Sequence, residues 1–192
     1  MEQTAYQDWA WVRPMLSLGF CLTVAHGLDP QTLADRLGVA PEREVLRRDE
    51  AVDWFEVTEP VVRVGRVAGW AFAFQEYGAE AGRPDALRAA AVGTEAVTVW
   101  RTASALGWFG YARDGEIVVA FELDSPHRRT GSAPQELVDV LARVGLPTEQ
   151  AWPARSPVSP VLPGLALLTA VSGVRLTGAD LDGPLLTGEI TG

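Results

Sequence analysis

The chain has 192 residues, of which 47% are hydrophobic and 21% charged, so it is long and apolar enough to bury the core of a globular domain. Its formal net charge is −9. Phosphate binding depends on clustered cations, so we expect no nucleic-acid partner, whereas an acidic surface favours the capture of a basic protein.

The basic residues are unusual in kind. All 16 are arginine, and the sequence contains neither lysine nor asparagine, a bias typical of a GC-rich genome. Without lysine there is no Schiff-base nucleophile or phosphate-loop lysine, and without asparagine there is no Cys-His-Asn protease arrangement. Arg43, Arg47 and Arg48 alternate with acidic residues, so we interpret them as a solvated helix face with mixed ion pairs.

Cys21 is the one cysteine, and it lies in the apolar run 18–25. It cannot form an internal disulfide, and we predict a buried, inert thiol. The N-terminal residues lack the charged and apolar regions of a signal peptide, and no apolar run reaches the roughly 18 residues of a membrane span. We therefore expect a cytoplasmic protein with no membrane partner.

Helices are predicted from apolar spacing and from capping residues. The second of them begins at Asp29 and Pro30, because Asp accepts the free amide hydrogens of a first turn and Pro is preset for the first helical position. In the first, Trp9, Val12 and Leu16 share a face. The predicted helices are residues 5–16, 30–37, 41–53, a helix opened by Pro84 and ended by Gly93, 134–144 and 165–171, followed by a turn at 179–181.

Strands are predicted from period-two alternation. Trp70, Phe72 and Phe74 alternate with small residues, which indicates a sheet with bulk on one face and a close neighbour on the other. The predicted strands are residues 18–25, 61–65, 69–76, 95–102, 105–113 and 116–123. We expect an α+β fold with a largely antiparallel sheet of about five to six strands and helices packed on it.

Asp114 and Gly115 between apolar runs predict a two-residue hairpin turn. Counting outward pairs Arg113 with Glu116, Ala112 with Ile117, Tyr111 with Val118, Phe109 with Ala120 and Trp108 with Phe121. The glycine-bounded segment 65–69 leads into a strand and not a helix, so it is a turn and no dinucleotide motif.

The chain divides by composition into three parts. Residues 1–146 form the predicted α+β core domain, residues 147–163 form a connection with five prolines, and residues 164–192 form a C-terminal helix and tail packed on the same domain.

Candidate chemistry is sparse. His26 and His127 lack the spacing of metal ligands, and the polar loop 124–127 brings carboxylate, hydroxyl and imidazole together without the geometry of a catalytic triad. We therefore predict no catalytic, metal or cofactor-binding residue and no cofactor, and we favour a protein that is not an enzyme.

Among seven tryptophans, Trp11 lies off the apolar stripe of the first helix. Trp11 with Arg13 is the predicted partner-binding site, the alternative being that Trp11 packs in the fold.

A resemblance rests on the order of aromatic and glycine positions across residues 5 to 180. These are an aromatic N-terminal helix, residues 20–24, 29–30, Leu33, 37–38, 65–70, 83–84, Leu87, 93–95, 109–111, 114–115, 121–122 and 173–177. The chain resembles an uncharacterised, Streptomyces-type actinobacterial domain of unknown function. Because that family has no assigned activity, the resemblance implies a single domain and transfers no catalytic residue.

These observations favour a non-enzymatic intracellular protein-binding module, of an immunity or regulatory type. Two alternatives stay open: a small-ligand sensor or enzyme whose site is assembled only in three dimensions, and a subunit of a larger assembly. Homo-oligomerisation is left open.

Overall fold

One antiparallel sheet organises the molecule. The computed structural model describes residues 7–51 and 60–191. Within these ranges the sheet has eight strands in the order β2-β8-β3-β4-β1-β5-β6-β7. The strands are β1 (Gly19–His26), β2 (Glu44–Leu46), β3 (Val61–Val67), β4 (Trp70–Glu76), β5 (Glu95–Thr102), β6 (Gly107–Arg113), β7 (Glu116–Glu122) and β8 (Leu185–Glu189).

The helices lie on both faces of this sheet. An N-terminal 3-10 helix (Ala10–Ser17) precedes β1, and a 3-10 turn (Glu80–Gly82) follows β4. The α-helices of the described ranges are α1 (Pro30–Arg36), α2 (Pro84–Ala90), α3 (Val138–Arg143), α4 (Val161–Ser172) and α5 (Gly178–Asp182). Asp29 caps α1 by accepting a hydrogen bond from the Thr32 amide at 2.9 Å, as its sequence predicts.

The predicted α+β class and antiparallel sheet are confirmed, but the sheet is wider than five to six strands. The two strands that were missed are β2 and β8. Residues 44–46 pair with residues 185–187, so the predicted charged helix over 41–53 is wrong where it is described, and residues 52–53 lie outside the described ranges. Both segments are too short for a clear alternation, with three and five residues, and they become strands because a distant partner supplies their hydrogen bonds.

The arginine cluster is correspondingly not a helix face, although the predicted ion pairs form and Arg47 is exposed, 3.6 Å from Asp49. Arg43 is largely buried and binds Asp35 at 2.7 Å, and Arg48 binds the Glu76 carboxylate at 3.0 Å. These guanidinium groups tie β2 and its flanking residues to α1 and β4.

The two faces of the sheet differ in side-chain size, as the alternation in β4 predicts. Trp70, Phe72 and Phe74 belong to one buried cluster, which we call the aromatic face, with the 3-10 helix Ala10–Ser17, α3, α4 and α5 packed on it. Ala71 and Ala73 belong to the other, the alanine face, which α1, α2 and the turn Glu80–Gly82 cover. Small residues let these elements approach the sheet backbone closely.

The β6–β7 hairpin turns at Asp114 and Gly115, both at positive φ (51° and 80°), as predicted. Its register departs from simple counting, because a β-bulge near the turn adds one residue to β7. Beyond the bulge, Tyr111 therefore pairs with Val119, Phe109 with Phe121 and Trp108 with Glu122. The Phe109 and Phe121 rings then stack at 5.1 Å on the aromatic face.

Several helix boundaries also differ from prediction. The N-terminal element is a 3-10 helix over Ala10–Ser17 with Pro14 inside it, and residues 5–6 lie outside the described ranges. The helix predicted over 134–144 is confined to Val138–Arg143, and the helix predicted to begin at 165 begins at Val161, so its first turn contains Pro163. Residues 147–160 contain neither helix nor strand.

Arg63 on β3 is a buried cation that joins three elements. It is 2% exposed, and its guanidinium donates to the carbonyl oxygens of Leu46 (2.8 Å), Gly183 (2.9 Å) and Leu181. Burial lowers the pKa of Arg63 from its ordinary value. Among the described residues no carboxylate lies within ion-pair distance of it, so the bonded carbonyl oxygens and the longer-range attraction of Glu76 compensate the charge.

We expect Arg63→Met to lower the free energy of unfolding by about 3 kcal/mol or more, because three carbonyl groups lose a charged donor while the volume is kept. Arg66→Met on the same strand is the control, since Arg66 is exposed. Urea denaturation of both variants measures the difference. Equal midpoints for the two variants would contradict the bonding role of Arg63.

Cys21 is fully buried in the alanine face, as predicted. Burial raises the pKa of its thiol to about 12, so the reactive thiolate is scarce at neutral pH.

We expect a thiol reagent at pH 8 to label Cys21 in the native protein far more slowly than in the urea-unfolded chain. Stoichiometric labelling of the native protein within seconds would show that the thiol is accessible.

Candidate binding groove

Two tryptophans and a glutamate form a row across the alanine face. Trp100 on β5 lies directly opposite Trp108 on β6, which lies directly opposite Glu122 on β7. Directly opposed residues share a face, with Cβ atoms about 5 Å apart. The two indole rings stack with centroids 6.1 Å apart and planes inclined by 23°.

The ring of Trp108 extends over Gly110, which has no side chain to obstruct it. A Cβ atom at residue 110 would collide with the six-membered ring of Trp108 and with Leu87 of α2. Trp100 holds the other side of the pair, since its indole N–H donates to the Gly82 carbonyl at 3.2 Å. The orientation of Trp108 is therefore fixed by packing on Gly110 and on Trp100, which is itself held by its hydrogen bond to Gly82. The Trp108 ring is only half-buried.

The outer edge of β7 is covered by the segment 130–133, which forms a wall. Thr130 and Ala120 exchange backbone hydrogen bonds at 2.8 and 2.9 Å, and the amides of Ser132 and Ala133 donate to β7 carbonyls. Gly131 has φ +120°, and a Cβ there would collide with the Val118 carbonyl. Only glycine lets the wall approach this closely.

The β-bulge sets which side chains face this wall. Because β7 has one extra residue near the turn, Ile117 joins Ala120 and Glu122 on the alanine face, while Val118 and Val119 both belong to the aromatic face. The bulge thereby adds an apolar side chain to the floor beside Trp108.

Between Trp108, β7 and the wall lie two adjoining hollows, which together we call the tryptophan groove. The larger has a volume of about 730 Å³ and the smaller about 280 Å³, and both are open to solvent. Trp108 and Thr130 line both. The larger hollow is also lined by Pro84, Arg88, Glu116, Ile117, Ala120, Gly131 and Ser132, and the smaller by Phe121, Glu122, Ser125 and Arg128.

Several polar groups of the groove have no intramolecular partner. Among the described residues, nothing accepts a hydrogen bond from the Trp108 indole N–H or the Arg128 guanidinium, and nothing donates to the Glu122 carboxylate. By contrast, Arg88 binds Asp85 at 2.9 Å. The hydroxyls of Thr130 and Ser132 donate to β7 carbonyls at 3.3 and 3.4 Å, so they serve to attach the wall.

Trp11 and Arg13, the residues predicted to bind a partner, lie outside this groove. Trp11 is half-buried against the aromatic face, with its ring 6.0 Å from Phe74 and its indole N–H donating to the Leu176 carbonyl at 2.9 Å. Arg13 is exposed. The contacts of Trp11 are those of a packing residue, and a role of either side chain in a partner complex stays a prediction.

The polar loop 124–127 contributes Ser125 to the smaller hollow. His127 does not line that hollow, and its Nδ1 is buried with no hydrogen-bond partner among the described residues. His26 stacks with Trp70 at 5.0 Å. No group of three metal-ligating side chains converges in the described ranges.

The groove was missed at the sequence level because its parts come from α2, β6, β7 and the loop after β7. One local signal was present: a glycine two residues after a strand tryptophan lies on the same face of the sheet, so Trp108 and Gly110 together indicate a ring that leans over its own strand.

The fold and groove define an antiparallel α+β protein with an aromatic groove at one end of the sheet. The chain belongs to a family of unknown function, DUF6461, whose model matches residues 2–183. The matched range ends two residues before β8. No curated protein and no solved structure matches the chain. Within the described ranges, no helix is both long and apolar enough to span a membrane.

We expect Trp11→Ala to lower the free energy of unfolding by about 3 kcal/mol, because it removes ring contacts with the aromatic face and leaves the Leu176 carbonyl without a donor. Trp11→Phe, which keeps a ring, should lose less. Thermal or urea denaturation measures both. If Trp11→Ala kept full stability but weakened a partner complex, the interface role of Trp11 and Arg13 would be supported instead.

Proposed function

We propose that this domain is a non-enzymatic protein-binding module and that its partner binds in the tryptophan groove. The observation that carries the proposal is the presence, on one concave surface, of the Trp108 indole N–H and the Arg128 guanidinium, neither of which donates a hydrogen bond to any residue that the structure describes. Tryptophan and arginine are enriched among the residues that dominate binding energy at protein interfaces.

The construction of the groove supports binding of another protein. Trp108 is held by Trp100, Gly110 and Leu87 before any partner arrives, so little side-chain entropy is lost on binding. The wall hydroxyls are already bonded to main-chain carbonyls, which suits a rigid surface better than nucleophilic catalysis.

The partner is proposed to be a protein of basic character, in an immunity-type or regulatory pair, since the net charge of −9 accelerates capture of a cationic partner. Residence in the cytoplasm and an actinobacterial source belong to the same proposal, the second supported by the lack of lysine and asparagine. A role as an assembly subunit predicts, in contrast, several chains in a fixed larger complex.

A small-ligand sensor is the second candidate. Its support is the volume of the larger hollow, about 730 Å³, which lies within the range of about 300–1,000 Å³ that is typical of ligand pockets. The open shape of the groove is the reason for placing this candidate second, because ligand pockets cover most of the surface of a small molecule.

Affinity purification from the native host tests the proposal. The wild type and Arg143→Ala, an exposed change on α3, should retain the same stoichiometric protein. Trp108→Ala and Arg128→Ala should each weaken that complex, the tryptophan change by about 2 kcal/mol, or roughly thirtyfold in Kd. Arg128 is exposed, so its variant guards against misfolding of Trp108→Ala.

Retention of the partner at wild-type affinity by both groove variants would show that the groove is not the binding site. A small molecule that co-purifies with the wild type and is lost from Trp108→Ala would favour the sensor.

A further inference from the structure

We infer that the partner segment presents an arginine or lysine side chain to Trp108, with its cationic group between the indole ring and the Glu122 carboxylate. This inference rests on the proposed function and names the chemistry of the segment that the groove recognises.

The first argument is the geometry of the row. Trp100 stacks against one side of Trp108, and the floor of the larger hollow is formed by Ile117 and Ala120 of β7, so the groove borders the side of the ring that faces β7. Glu122 lies on β7 directly opposite Trp108 and lines the smaller hollow with it. A cation within about 6 Å of an indole face is attracted by the ring quadrupole, and here a carboxylate stands beside the same ring.

The second argument is charge. Among the residues that the structure describes, four charged side chains line the two hollows: Arg88, Glu116, Glu122 and Arg128. Arg88 is neutralised by Asp85 at 2.9 Å, so the remaining groups are two carboxylates and one guanidinium. With Asp85 counted beside its partner Arg88, three carboxylates and two guanidinium groups surround the groove, which gives it a small negative balance. The chain as a whole has a net charge of −9, so a cationic side chain is the complementary ligand.

Arg128 further limits which cationic ligand fits the groove. It lines the same hollow as Glu122, so an isolated cation would be partly repelled, whereas a basic residue within a peptide also brings main-chain carbonyl oxygens. Within the described ranges, the Arg128 guanidinium and the Trp108 indole N–H are donors that meet no acceptor, and such carbonyls would accept from them. A basic peptide segment would therefore bond to both kinds of group: its main-chain carbonyls to Trp108 and Arg128, and its cationic side chain to Glu122.

The test uses a defined probe, the peptide acetyl-Gly-Arg-Gly-amide, and the full chain labelled with ¹⁵N. The indole N–H signal of Trp108 is assigned by its loss in Trp108→Phe, and its shift is followed during titration. The matched peptide with citrulline in place of arginine has nearly the same shape and no charge. We expect the arginine peptide to shift the Trp108 signal in a saturable way and the citrulline peptide to bind several-fold more weakly.

Variants test the carboxylate. Glu122→Gln should weaken binding of the arginine peptide by about two- to fivefold, as expected for an exposed ion pair, and added salt should reduce that difference. Glu149→Gln, an exposed change in the proline-rich segment, should leave the affinity unchanged. Equal binding of the arginine and citrulline peptides, no shift of the Trp108 signal, or no effect of Glu122→Gln would each overturn the inference.

The two proposals fail in different ways. If the native partner is lost from Trp108→Ala but the arginine peptide fails these tests, the groove binds a protein by other chemistry, and only the cation inference is wrong. If the native partner binds Trp108→Ala and Arg128→Ala as tightly as the wild type, the proposed function is wrong whatever the peptide does.

Discussion

The difference in size between the two faces of the sheet is the constraint on which the rest of the structure depends. Where α1, α2 and the turn Glu80–Gly82 cover the alanine face, the sheet residues beneath them are small, as at Ala73, Ala96 and Ala112. At the β6–β7 end this cover is incomplete, and the ring of Trp108 takes up part of the space beside Trp100, which a hydrogen bond joins to the turn Glu80–Gly82. The groove exists because neither helix nor turn covers the sheet fully there, and flat aromatic rings cannot fill the remaining space completely.

Arg63 shows how the opposite end of the sheet is held. A buried guanidinium is costly unless its hydrogen bonds are met. Here its two terminal nitrogens bond to carbonyls of two segments far apart in the sequence, Leu46 at the end of β2 and Leu181 and Gly183 at the end of α5. An apolar residue would pack against many arrangements of these segments, whereas a planar donor fits few. The charge thus selects one position for β2 and α5 relative to β3, although its net contribution to stability is small compared with the cost of removing it.

Local signals predicted the parts of the fold that are determined locally. The alternation of Trp70 to Phe74, the cap at Asp29 and the turn at Asp114 each act within a few residues, and each was correct. β2 and β8 could not be found this way, because their strand conformation comes from pairing across most of the chain. The bulge near Tyr111 escaped for a related reason: counting from the turn assumes an unbroken ladder, and Phe121 packs with Phe109 only because the ladder is broken. The groove could not be predicted for both reasons: its parts come from distant segments, and the bulge decides which β7 side chains face it.

The position of β8 has a consequence for the order of events during synthesis. β8 lies between β2 and β3, so the ribosome delivers both neighbours long before the strand that separates them. Until residues 185–189 emerge, the free edge of β3 offers unpaired amides and carbonyls to any extended segment nearby. Joining strands so distant in sequence is slow compared with closing a hairpin. A chain that pairs its other strands first therefore keeps this edge open to wrong partners until β8 joins the sheet.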